Sequence, residues 1–277
     1  MSVTEIDKIN PNRALWEKGD FTRIAETMRE SGEELVGALH IGEGMRVLDL
    51  GSGDGTTALP AARSGADVLG VDIAANLVDA GNARAKAAGL RNLRFQHGDA
   101  SNLSEIADSR FDLVLSVFGA MFAPRPFDVA AEMVRVTKSG GRIVMGNWIP
   151  GDPTLVAQIL KVSAAYTPAP PPGAVSPMTW GDETQVRERF TAAGLSPDAI
   201  TFERRTWHFR QLGPPSRLLE TFRAFYGPTM NAFEAAESNG LAGDLGKELE
   251  QLFNSQNRGG SDTDIPATYL KVTAIKA

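Results

Sequence analysis

From residue 45 onward the apolar positions fall into short dense runs separated by stretches of helical spacing. Met45-Arg-Val-Leu-Asp-Leu50, Ala66-Asp-Val-Leu-Gly-Val71, residues 93–97, Phe111-Asp-Leu-Val-Leu-Ser116 and residues 142–146 read as strands. The intervening segments after Gly55, over 74–88 and over 127–137 repeat apolar residues at helical intervals. Strand and helix in alternation predict a parallel sheet covered on both faces. Ahead of it, Leu15, Ile24, Met28, Leu35 and Leu39 recur at roughly helical spacing and predict one or two N-terminal helices after the polar residues 1–11.

Beyond residue 146 the regularity is interrupted. Pro168, Pro170, Pro171 and Pro172 fix φ against a helix and predict an extended surface insertion. A helix over 183–193 closed by Gly194, a strand over 200–210, helical spacing over 215–253 and a final strand ending Thr268-Tyr-Leu-Lys-Val-Thr-Ala-Ile275 complete the reading. The expectation is an α/β fold with a mostly parallel sheet of about seven strands, helices on both faces, N-terminal helices and a helical and loop cap. One domain is expected over 1–277, with a core at about 40–150, 181–211 and 265–277. Cap and substrate segments are expected at about 1–39, 151–180 and 212–260.

With 277 residues, 42% hydrophobic and 22% charged, the chain is of ordinary globular composition and long enough to bury a sizeable core. The net charge of −6 repels phosphate backbones and anionic membranes, and no Lys/Arg run offsets it. A nucleic-acid or membrane partner is therefore not expected, and Arg204 with Arg205 reads as a solvated strand edge. The absence of cysteine excludes disulfides, thiolate nucleophiles and Cys-held metal sites. No cluster of His and carboxylates at ligand spacing points to a metal. The acidic start Met-Ser-Val-Thr-Glu carries no apolar leader, which implies a cytoplasmic protein.

The strongest local signal is Val47-Leu-Asp-Leu-Gly-Ser-Gly-Asp-Gly55, an apolar strand that delivers Asp49 and then alternate glycines at a helix start. Gly51 and Gly53 allow a ligand close to the backbone, and a helix N-terminus offers N–H donors. Asp72 ends the second strand, where a carboxylate accepts the hydroxyls of a ribose or caps the following helix. Asp99, in Gly98-Asp-Ala100, is placed to accept from an adenine amine, or else to bond its own turn. The glycine spacing differs from the G-x-G-x-x-G of a pyrophosphate turn, which weighs against a nicotinamide-dependent oxidoreductase sharing the same crevice.

Asp49-Leu-Gly-Ser-Gly-Asp-Gly55, Val71-Asp-Ile73, Gly98-Asp-Ala100 and Phe111-Asp-Leu-Val-Leu-Ser116 resemble the successive motifs of class I, Rossmann-like methyltransferases over about residues 45–147. Leu15-Trp-Glu-Lys-Gly-Asp-Phe21, Val117-Phe-Gly-Ala-Met-Phe-Ala-Pro124, Ser176-Pro-Met-Thr-Trp-Gly181 and Phe225-Tyr-Gly-Pro228 are similar to a bacterial small-molecule group, type 11-like. The resemblance implies S-adenosylmethionine as cofactor and S-adenosylhomocysteine as product. It implies that Asp49, Gly51, Ser52 and Gly53 surround the methionine portion, that Asp72 holds the ribose, that Ile73 packs on adenine and that Asp99 with Ala100 reads its edge. Ser116 to Gly119 would border the transferred methyl. The acceptor is read as a small, partly apolar molecule, with Trp16, Phe118, Met121, Trp148 and Trp180 as candidate pocket residues and Trp16 with Phe21 as a candidate lid. Of His40, His97 and His208, His208 is the candidate general base. A donor-binding module without catalysis is the remaining alternative. Oligomeric state and the atom methylated are not legible.

Overall fold

The computed structural model describes residue 10 and residues 12–277, so the acidic start and Pro11 lie outside the described residues. Its frame is a seven-stranded sheet in the order β3-β2-β1-β4-β5-β7-β6. The strands are β1 (Arg46–Leu50), β2 (Asp67–Asp72), β3 (Leu93–His97), β4 (Phe111–Val117), β5 (Thr137–Trp148), β6 (Ile200–Gln211) and β7 (Thr263–Ile275). The first five run parallel, while β7 lies antiparallel between β5 and β6.

Period-2 alternation in the central strands feeds two cores. Val47, Val68, Leu113, Leu115 and Val144 pack on one face with Ala58, Leu59, Ala62 and Ala85, from α4 (Ala58–Arg63) and α5 (Ala75–Ala87). Leu48, Leu50, Leu69, Val71, Val114, Ile143 and Met145 pack on the other with α6 (Pro126–Val136) and α8 (Glu183–Ala192). A strand buried on both faces needs such continuous apolar runs, which is why the sequence gives no polar side to β1 or β4.

Three short helices, α1 (Arg13–Glu17), α2 (Thr22–Glu26) and α3 (Arg29–Gly37), lead into β1. The C-terminal half adds α7 (Leu155–Ala164), α9 (Pro215–Phe225), α10 (Gly227–Ser238) and α11 (Ala242–Gln256). Their apolar faces join the α6 side of the core through Leu155, Leu218, Ala232 and Leu245. No helix among the described residues is long and apolar enough to cross a membrane.

Two boundaries differ from expectation. The pair Gly140-Gly141 does not precede the fifth strand but lies inside it: Phe111 opposes Thr137 while Leu113 opposes Arg142, so the strand bulges between. Gly140 adopts φ 75° there and its N–H donates to Lys276 O at 2.7 Å, so an excursion that looks like a turn in sequence stays within the sheet. In the insertion, residues 155–164 form α7 before the proline cluster begins.

Candidate active site

The strand order reverses between β1 and β4, and there the C-terminal strand ends diverge to leave a crevice. Its floor is a contact between two glycine backbones. A Cβ on Gly119 would lie 2.3 Å from Gly51 O, and one on Gly51 would lie 2.5 Å from Gly119 Cα, so both positions need glycine. The crevice opens into a cleft of about 930 Å³, its mouth included. Gly51, Ser52, Gly53, Asp72, Ile73, Ala100, Trp16 and Phe118 line it, eight of the residues singled out from sequence.

The turn is held by carboxylates and carbonyls rather than left open. The N–H groups of Gly51 and Ser52 donate to Val71 O at 2.8 and 3.2 Å, and that of Gly53 donates to Asp72 Oδ2 at 2.8 Å. Since α4 begins only at Ala58, the expected row of free N–H donors is already spent along residues 51–53. Asp72 Oδ1 accepts from Ala74 N–H at 2.9 Å, so the residue both caps the approach to α5 and braces the turn. Each oxygen retains a lone pair for a ligand. Burial pushes the Asp72 carboxyl above the usual carboxylate range, against the pull of the Ala74 and Gly53 N–H groups.

Asp49 lies beneath the turn, 1% exposed, with Oδ2 accepting from Thr57 Oγ1 at 2.6 Å and Oδ1 without a partner among the described residues. Burial is the main cause that raises it to about 7, and the neighbouring Asp72 charge adds to the rise. Asp54, which sequence reasoning left without a role, anchors the loop: Arg29 grips both its oxygens at 3.0 and 2.5 Å, and Arg84 Nη1 reaches its carbonyl at 2.6 Å. Asp99 stands at the far side of the strand ends. Its Oδ1 accepts from Ser101 N–H and Oγ, both at 2.8 Å, while the buried Oδ2 has no partner among the described residues. It faces a neighbouring hollow with His97 and Asn102 rather than the main cleft, which it joins through Val71 and Gly98.

Ser116 does not face the cleft. Its hydroxyl donates to Leu50 O at 2.8 Å and accepts from Ala120 N–H at 2.9 Å, which ties β4 to β1 beneath the Gly51–Gly119 contact. Within residues 116–119, Ser116 thus lies outside the cleft lining, which Val117, Phe118 and Gly119 join.

A second chamber of about 440 Å³ adjoins the cleft, and Trp16, Phe21, Met28, Phe118 and Phe122 line both. Its remaining wall is Ile24, Trp148, Val156, Ile159, Leu160, Phe209, Phe222 and Tyr226. Phe118, held at φ 59° with its N–H on Gly146 O at 2.9 Å, stacks on Trp148 with centroids 3.6 Å apart and planes 5° apart. Trp16 meets Phe122 edge-on at 4.7 Å and Phe21 at 5.7 Å.

Three sequence candidates lie elsewhere. Met121 is 1% exposed within the core, and Trp180 is buried against Phe190 with the Arg189 guanidinium 4.6 Å over its ring. His208 sits on β6 with Nδ1 2.5 Å from Asp264 Oδ1, on neither cavity wall. Strand alternation decides it: Trp207, one residue earlier, is the β6 side chain that reaches the cleft. Sequence reading missed Thr56, Leu77 and Trp207 as cleft residues, because no local spacing marks which loop or strand face closes over a crevice.

Residues 48–145 match the family model of the methyltransferase domain. An uncharacterized protein of Mycobacterium tuberculosis is 35% identical over 246 residues, covering 87% of this chain and 86% of its own. The demethylmenaquinone methyltransferase of Paenarthrobacter aurescens is 36% identical over 114 residues, covering 41% of this chain and 43% of that protein. Among solved structures, the YcgJ protein from Bacillus subtilis has TM-score 0.56 at 19% identity, covering 89% of this chain and 98% of that one. Haemonchus contortus phosphoethanolamine N-methyltransferase 2, in complex with phosphomonomethylethanolamine and S-adenosylhomocysteine, has TM-score 0.55 at 18% identity, covering 89% and 52%. The structural likenesses carry the fold, and the sequence matches carry the family. With its glycine turn, its carboxylates at the ends of β1 and β2 and a sheet of matching topology, the chain belongs to the class I S-adenosylmethionine-dependent methyltransferases, in the type 11 group.

Proposed function

We propose that the protein transfers the methyl of S-adenosylmethionine to a small, partly apolar organic acceptor, with the donor in the glycine-turn cleft and the acceptor in the aromatic chamber beside it. The observation that carries this reading is the electrostatic character of the turn. Its N–H groups at Gly51, Ser52 and Gly53 are committed to Val71 O and Asp72, while Asp49 and Asp72 crowd the strand ends. Such a site suits a hydroxylated, cationic ligand without phosphates and is ill suited to a pyrophosphate, which needs free N–H groups. The donor's ammonium, ribose and uncharged adenine fit; a dinucleotide does not.

The residues divide the work by position. Asp72 offers its remaining lone pairs to the ribose hydroxyls, Ile73 and Leu77 supply apolar surface for the adenine, and Ala100 meets its edge while Asp99 braces that turn through Ser101. Asp49, Gly51, Ser52 and Gly53 surround the methionine portion. When bound, the sulfonium supplies an electrophilic methyl for in-line displacement by an acceptor lone pair. The chain's contribution is to hold the acceptor in line and to exclude water, a task for the Phe118, Phe122 and Trp16 walls.

Calorimetric titration of S-adenosylhomocysteine and, separately, NADH into wild type and Asp72→Ala tests this. We expect the homocysteine adduct to bind wild type and to weaken by roughly ten- to a hundredfold in Asp72→Ala, the loss of a charge-assisted contact of about 1.5–3 kcal/mol. Binding of NADH alone would overturn the methyltransfer reading.

A further inference from the structure

We infer that the hydroxyl of Tyr226 fixes the acceptor in the aromatic chamber by donating a hydrogen bond to an acceptor oxygen, which makes a flat apolar molecule with a carbonyl, phenolate or enolate oxygen the preferred class. The inference rests on the donor and acceptor placement proposed above and extends it to the chemistry of the acceptor.

The chamber is apolar except at three side chains, the indoles of Trp16 and Trp148 and the phenol of Tyr226. Trp148 is stacked face to face on Phe118, and Trp16 is held edge-on by Phe21 and Phe122. Tyr226 differs from both in the effort spent on placing it. It occupies the break between α9 and α10, its N–H donating to Phe222 O at 3.0 Å. Gly19 pairs with it as an antiparallel bridge, and Asp20 N–H donates to the adjoining Phe225 O at 3.3 Å. A Cβ on the next residue, Gly227, would lie 2.3 Å from Leu15 O, so the N-terminal segment and the C-terminal helices close on this one position. The ring packs against Phe222 at 5.2 Å and Trp16 at 6.0 Å.

Three elements thus position a side chain that is 8% exposed and lines the chamber, with no hydrogen bond to a described residue through its hydroxyl. A hydroxyl set in an apolar wall without a protein partner has few polar groups to bond, and a ligand oxygen supplies one. Burial also pushes the phenol above its usual range, so it stays a proton donor at neutral pH. An acceptor that presents oxygen to it is favoured over its hydrocarbon counterpart, and the rest of the wall is shaped for the flat apolar remainder.

Two probes of matched shape separate the hydroxyl's role from packing. 1-Tetralone, with one carbonyl, and tetralin, with none, are titrated into protein saturated with S-adenosylhomocysteine, and binding is read by quenching of tryptophan fluorescence. For wild type against Tyr226→Phe, the 1-tetralone Kd rises roughly three- to tenfold, the size of one neutral hydrogen bond, while the tetralin Kd stays within twofold. Equal loss for both probes would mean that Tyr226 is only packing, and no change for 1-tetralone would mean that the hydroxyl reads nothing. Either overturns the inference, as does failure of both probes to bind the loaded protein. Failure of S-adenosylhomocysteine itself to bind would instead strike the donor reading, so the two failures are distinguishable.

Discussion

At the residue scale the site is governed by carboxylates held away from water, and Asp49 sets the clearest consequence. Burial raises it from 3.8 to about 7, so the folded chain binds its proton more tightly than the unfolded chain. The sign follows from linkage: stability from this group is fully present below about pH 3.8 and is lost as pH rises through about 7. Asp49→Asn stays neutral and still presents an acceptor to Thr57 Oγ1. Between pH 5 and pH 8, thermal unfolding is expected to shift in favour of the variant relative to wild type. A pH-independent difference would show that Asp49 does not titrate there. Asp54 is as buried, but Arg29 and Arg84 compensate its charge, which separates a paired carboxylate from Asp49, which no cation among the described residues compensates and burial protonates. Both carboxylates flank the same glycine loop in sequence; the arginine partners of Asp54, 25 and 30 residues away, are invisible there.

At the element scale the N-terminal segment is tied over the cleft by polar contacts at both ends. Asn12 Nδ2 donates to Phe122 O at 2.5 Å, Lys18 Nζ reaches Asn231 and Glu234, and Glu17 Oε1 accepts the Ala75 N–H at 3.0 Å. The last contact makes α1 the cap of α5, whose own N-cap, Ala74, has no side chain able to do so. Burial pushes the Glu17 carboxyl up, but the Ala75 N–H and Arg13 outweigh it and hold it below the usual range. Glu17→Ala should cost about 1 kcal/mol, the worth of a helix cap, and should speed S-adenosylhomocysteine dissociation severalfold by loosening Trp16 above the cleft. Stopped-flow displacement measures that rate, and an unchanged rate would remove α1 from the role of lid. Helical character in the N-terminal segment was legible from apolar spacing, but its division into three helices rather than one or two, and the side of the sheet they close, were not. Nothing local in Leu15-Trp-Glu-Lys-Gly-Asp-Phe21 says that Glu17 serves another helix.

At the scale of the whole molecule, two cores and two cavities meet at one reversal of strand order, so donor binding should stabilise the chain as a unit. S-adenosylhomocysteine at a hundredfold excess over Kd is worth about 2.7 kcal/mol. For a chain of this length that corresponds to a rise in Tm of about 5 °C, whereas NADH at equal concentration should leave Tm unchanged. A scan with either pattern reversed would contradict the proposed donor. The strands, their parallel order and the donor turn could be read directly, because a doubly covered strand needs an unbroken apolar run and a close backbone approach needs glycine, and both are local demands written within a few consecutive residues. Local demands also misled, as when Gly140-Gly141 announced a turn that the long-range pairing with β4 and β7 absorbs into β5. The aromatic chamber was legible only in part: Trp16, Phe118 and Trp148 stood among the pocket candidates, but nothing joined them to Phe209, Phe222 and Tyr226, in segments up to 210 positions apart. An aromatic residue bound for a cavity is locally the same as one bound for the core. Sequence alone therefore determined the sheet and the glycine turn, while tertiary structure decided that the turn's N–H groups are committed to Val71 and Asp72, that Trp207 rather than His208 faces the cleft and that Trp180 is core, since each depends on which distant segments pack together.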